Sequence, residues 1–97
     1  MARGLLTSAG VATLSNVTSS ASSVQLLAAT DNRRMATFFN DSTSVCFVKF
    51  GTAASSSDYT IRMVSLSYFE LPEPIYTGRI DCIWSTANGA MRVTEIA

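Results

Sequence analysis

The chain has 97 residues and no histidine; seven Lys and Arg balance seven Asp and Glu, and only 14% of the residues are charged against 47% hydrophobic. One domain fits that length, and size scaling buries about 64% of the extended surface, enough for one modest core without staples. Scattered, balanced charge excludes a polyelectrolyte-binding strip and so argues against nucleic acid as a partner, and no run approaches the ~20 apolar residues of a membrane helix.

Alternation with a period of two dominates the chain, and helical periodicity is hard to find. The opening MARGLLTSAGVA has the arginine and small residues of a secretory leader, but Thr7 and Ser8 break its apolar stretch. The expectation is therefore an uncleaved, soluble chain made in the cytoplasm and not anchored. GVATLSNVTS is polar enough for an edge strand or an extended arm, and SSASS after it is a flexible or turn segment. Residues 1–23 are accordingly read as an extended N-terminal arm, and 24–97 as the β domain. VQLLAA gives a short apolar strand, and TDNRR a turn.

RMATFFN (34–40) is stopped by NDSTS, whose short polar side chains bond their own backbone in tight turns; SVCFVKF (44–50) returns, most simply as the second arm of a hairpin. DYTIRMVSL (58–66) alternates and YFEL continues extended until Pro72 and Pro74, which cannot donate to a ladder and mark a loop or sheet edge. The last segment, YTGRIDCIWSTANGAMRVTEI, reads as a hairpin about Asn88-Gly89, since a two-residue primed turn needs positive φ at both central positions. Ile80, Cys82 and Trp84 share one face of its first arm, with Trp84 the expected core pillar. Arg79, Asp81, Arg92 and Glu95 face outward, available for cross-strand ion pairs or for a neighbour. About seven or eight strands at regular spacing predict an all-β fold: a single antiparallel β-sandwich or small barrel with the N-terminal arm attached.

The solvating groups of this low-charge chain are hydroxyls, 14 Ser and 11 Thr. Such a surface lets identical copies crowd together without accumulating charge, although an ordinary β protein rich in β-branched residues has a similar composition. Cys46 and Cys82 lie in apolar runs and are expected as buried free thiols, with a disulfide the alternative. Without histidine the chain lacks the commonest general base and metal ligand, and two cysteines do not make a four-ligand zinc site. A Ser-Lys49 pair has no distinguishing signal. Glu70, Glu73 and Asp81 offer a glycosidase-like carboxylate pair only if the fold gathers them. There is no phosphate loop, calcium loop or dinucleotide fingerprint, so no cofactor is expected and the chain is read as not an enzyme. Exposed aromatics could form a stacking platform for sugars, but most are needed as core or interface filling.

From Asp31 to Glu95 the pieces DNRR, FFNDS, FVKFG followed by AAS, DYT, YFELP, YTGRIDCIW and NGAMRVTE occur in order. As a set they resemble a group of small β-rich virion proteins of tailed bacteriophages. The resemblance implies a structural protein of the particle: a capsid decoration or cement protein that binds between major capsid subunits, or else a neck, tail or fibre-base component. It implies location in the virion, contact with the major capsid protein or other virion proteins, a homo-oligomeric state, and no catalytic residues. The expected partner contacts are Leu5, Leu6, Val11 and Leu14 in the arm, and Tyr68, Tyr76, Arg79 and Arg92 in the β domain. A carbohydrate-binding module using Tyr68 or Tyr76 is the remaining reading.

Overall fold

A computed structural model describes residues 10–97. Among them are eight strands and no helix: β1 (Ala12–Thr18), β2 (Val24–Leu27), β3 (Met35–Asp41), β4 (Cys46–Phe50), β5 (Ile61–Met63), β6 (Tyr68–Glu70), β7 (Ile80–Trp84) and β8 (Ala90–Ile96). They form two antiparallel four-stranded sheets, β1-β8-β3-β6 and β2-β7-β4-β5, so the fold is a β-sandwich and not a closed barrel.

The pairing follows one rule. β1 pairs with β8, β2 with β7, β3 with β6 and β4 with β5, as though one long antiparallel ribbon had been wound up. The pairs β3·β8 and β4·β7 then join these into sheets. This is the strand order of an eight-stranded jelly roll.

Two expected hairpins are corrected by this topology. β3 and β4 lie in different sheets, and so do β7 and β8. The residues between them are turns, as their chemistry requires, but each turn crosses the roughly 10 Å between layers. β7 is buried at four of its five positions because β2 and β4 flank it on both sides, which leaves no ladder side for β8. At Asn88-Gly89 only the glycine has positive φ, at 75°. Asn88 instead spends Oδ1 on the backbone N–H and the hydroxyl of Thr43, at 2.8 and 2.9 Å, tying the two crossings together. The strand expected across 58–66 and onward is likewise split: β5 and β6 sit in separate layers, and Leu66 in the crossing takes φ 63°.

Alternation built the core as expected. Ala36 and Phe38 of β3, Cys46 and Val48 of β4, Ile80, Cys82 and Trp84 of β7, and Met91 and Val93 of β8 all point between the sheets. Leu26 and Leu27 are both buried although adjacent, because a register shift between Gln25 and Leu27 re-aims one of them.

Each end of the core is closed by a buried polar side chain with its hydrogen bonds made. At one end Asn40 donates to the carbonyls of Ser44, Met63 and Val64 and accepts from Ser42 Oγ and Trp84 Nε1. At the other, Arg33 is 3% exposed; its guanidinium bonds Glu95 Oε2 at 2.8 Å and the carbonyls of Tyr76, Gly78 and Ala28.

Of the arm expected at 1–23, residues 1–9 lie outside the described part. Residues 12–18 take the edge-strand alternative, paired along their whole length with β8.

Candidate docking edge

The groups considered for chemistry are held apart or engaged. Glu70 lies on β6 at the edge of one sheet and Asp81 on the central β7 of the other, so the fold does not gather these two carboxylates. Asp81 is 2% exposed and accepts from Arg79 Nε at 2.7 Å and from the backbone N–H of Ala53 at 2.9 Å. Lys49 binds Asp58 at 2.6 Å. Cys46 and Cys82 are buried free thiols; the hydrogen bond to Cys46, followed by burial, pushes the Cys82 thiol far up, which disfavours the reactive thiolate. A cleft lined by Asp31, Asn32, Arg33, Arg34 and Ala97 includes Arg33, whose donors are already committed. Among the described residues no three His, Cys, Asp or Glu side chains gather as metal ligands.

The four sheet edges differ sharply. β5 and β6 are three residues long, carry Arg62 and Glu70, and β6 runs into Pro72 and Pro74. β2 has four residues and a register irregularity. Shortness, charge, proline and bulges are the means by which proteins keep edges from pairing with other chains. β1 has none of them. It runs seven residues, ATLSNVT, with every residue but Val17 exposed, and among the described residues nothing pairs with its outer side.

The register fixes which β1 backbone groups are free. Val11 and Ala97 exchange both hydrogen bonds, N–H to O at 3.0 Å one way and 2.8 Å the other, and Ser19 N–H bonds Gly89 O at 3.1 Å. Hydrogen-bonded positions alternate along an antiparallel pair, so Thr13, Ser15 and Val17 also face β8. The N–H and C=O groups of Ala12, Leu14, Asn16 and Thr18 therefore point out of the sheet. Their side chains lie on the outer face, since Val17 of the other set packs on the core.

Of the expected contact residues, Leu5 and Leu6 lie outside the described part. Val11 and Leu14 both lie along the β1 edge, 59% and 74% exposed, but on opposite faces of the sheet. Tyr68 is exposed on β6 at the far edge of the same sheet, its hydroxyl donating to Glu70 at 2.9 Å. That bond, with lesser contributions from desolvation and the carboxylate's charge, raises the Tyr68 pKa above its ordinary value. Tyr76 is half-buried and stacks on Phe50 with ring centroids 5.0 Å apart, so one ring face is occupied. Arg79, just before β7, pairs with Asp81 two residues on, and Arg92 reaches Asp41 of β3 at 2.9 Å. Two residues expected to face outward do not: Asp81 is buried between Arg79 and Ala53, and Glu95 holds the buried Arg33. The six that are described thus do not make one surface; Val11 and Leu14 alone among them lie on the β1 edge.

Sequence reasoning missed Ala12, Ser15, Asn16 and Thr18 as members of this surface. A signal was present: residues 4–30 contain no charged side chain, so every charge except Arg3 lies beyond Thr30. That uncharged stretch builds β1 and β2, an edge strand of each sheet, and the short link 19–23 sets the two side by side across the layers. Charge depletion is thus concentrated on one side of the sandwich, as at the centre of an interface. Comparison with family models, curated proteins and solved structures finds no match.

Proposed function

We propose that the chain is a structural component of a tailed-bacteriophage particle, a capsid decoration protein that stabilises the shell by binding between major capsid subunits. The observation that carries this reading is the β1 edge, long, uncharged and, among the described residues, unpaired on its outer side, on a sandwich whose other edges are guarded: such an edge marks a subunit built for assembly. A strand left in that state is a template for pairing with another chain. The ordered run of motifs from DNRR to NGAMRVTE supports the phage assignment. The jelly-roll strand order is in keeping with it, since viral capsid domains use that architecture, although lectins and cupins do too and fold alone does not decide function. Polar groups spent on internal closure, as in Asn40, Arg33 and Asp81, suit a part whose role is shape and contact.

A neck, tail or fibre-base position in the same particle is the second reading, favoured by nothing that disfavours the shell. The carbohydrate-binding reading has less support, because Tyr76 has one ring face against Phe50. Quantitative mass spectrometry of purified particles from the genome encoding the chain tests the proposal. A copy number matching the capsid lattice supports decoration, and one matching the symmetry of the neck supports the alternative. Absence of the chain from the particle overturns both.

A further inference from the structure

We infer that the β1 edge binds the β1 edge of a second copy of this chain, antiparallel across a two-fold axis at Ser15, joining two four-stranded sheets into one of eight strands. This rests on reading the edge as the contact surface, and it names the occupant.

The register follows from the free groups. Only Ala12, Leu14, Asn16 and Thr18 present N–H and C=O outward, and an antiparallel partner must set such residues opposite one another. Centring the axis on Ser15 pairs Ala12 with Thr18 of the second copy and Leu14 with Asn16 of the second copy, and the reverse. Every outward group of both strands is then satisfied. Shifting the centre to Leu14 or Asn16 leaves the groups of one end residue unpaired. Ser15 itself falls on the axis at a non-hydrogen-bonded position, where facing Cα atoms approach to about 4.5 Å.

A second copy is the occupant that the chain's own edges select. No other described edge reaches seven residues: β2 has four with an irregularity, and β5 and β6 have three each. Self-pairing opposes no like charges, since the strand has none. An isologous contact also closes at two copies, so an open edge is consumed without growth of a fibre.

Ser15→Cys tests the geometry. Its side chain is exposed and the native thiols are buried, so only the new thiol is accessible. Facing non-hydrogen-bonded positions suit disulfide geometry, so air oxidation is expected to give a covalent dimer on non-reducing gels. Thr13→Cys faces Val17 of the second copy and is expected to stay monomeric on the same gel. Ser15→Lys places two ammonium groups against each other and should weaken the dimer, followed by light scattering, at least about tenfold, with the far-ultraviolet spectrum unchanged and the melting midpoint unchanged at dilutions where the wild type is monomeric. The inference is overturned if Ser15→Cys does not cross-link, if Thr13→Cys cross-links equally, or if the wild-type chain is monomeric at all concentrations reached. A monomer whose Leu14 and Asn16 amides are nonetheless protected from exchange also overturns it, in favour of a segment of the same chain. These outcomes are separate from the particle experiment: a solution dimer missing from virions sinks the phage reading alone, and a monomer found in virions sinks the self-pairing alone.

Discussion

β1 and β6 are the two edges of the same sheet, about 14 Å apart by the spacing of strands, and they are built in opposite ways. β6 is three residues long, bears Glu70, and gives way to Pro72 and Pro74. The crossing that leads into it is fastened to the core, with Leu66 N–H bonding Asn40 O at 2.8 Å and Asn40 N–H bonding Ser67 O at 2.9 Å. β1 is seven residues long, uncharged and exposed. Of the two, β6 carries the features that stop further pairing. Among the described residues edge protection is selective: β2, β5 and β6 are guarded and β1 is not.

Substitutions can break this contrast at each level. The largest effect is expected on the fastened side. Asn40→Leu removes the partner of Trp84 Nε1 and of three carbonyls in a buried site, and should cost about 3–4 kcal/mol by denaturant unfolding. Next comes Gly89→Ala, at about 2 kcal/mol or more, since an added Cβ would meet the Asp41 carbonyl and Ser42 at a φ of 75°.

A pair of proline variants then separates the two sides of β1. Ser15→Pro removes a ladder bond to β8 and should destabilise the fold by about 2 kcal/mol. Leu14→Pro removes an outward N–H, which edge strands tolerate, so its cost should stay under about 1 kcal/mol while self-association is lost. Equal destabilisation by the two prolines would show the assigned hydrogen-bonding sides to be wrong.

The smallest effect belongs to the guarded edge. Glu70 holds the Tyr68 hydroxyl in its protonated form, so Tyr68 should titrate above the ordinary tyrosine range, and Glu70→Gln should lower its midpoint in an ultraviolet titration. Because the folded-state pKa is raised, the associated stability is present below the unfolded value near 10 and is lost as pH rises through the folded value.

How much was legible in the sequence follows from what alternation encodes. It states which face a side chain takes, so it puts Trp84, Ile80 and Cys82 in the core and locates the strands to within a few residues, while the apolar runs around the cysteines point to buried free thiols. It does not state which strand lies alongside, and the shortest-path assumption joined β3 to β4 and β7 to β8. In a jelly roll those neighbours in sequence are opposed across the layers, and among the described strands the one ladder between sequence neighbours is β4·β5. Asn88-Gly89 and NDSTS were correctly turns, but turn chemistry leaves the destination of the chain open. Arg33 and Glu95 resisted for a different reason. A charged residue in DNRR reads as solvated, and only the convergence of Ala28, Tyr76, Gly78 and Glu95 from distant parts of the chain supplies the bonds that let a guanidinium be buried. The docking edge was partly visible through Val11 and Leu14. The rest of it was hidden because Ala, Ser, Asn and Thr carry the surface through backbone groups rather than through side chains.

Residue-resolved amide hydrogen exchange across a dilution series tests the claim that β1 is a working edge most directly. The amides of Thr13, Ser15 and Val17 should be protected at every concentration, while those of Leu14, Asn16 and Thr18 should gain protection as the protein is concentrated. Fast exchange of Leu14, Asn16 and Thr18 at all concentrations would contradict the account.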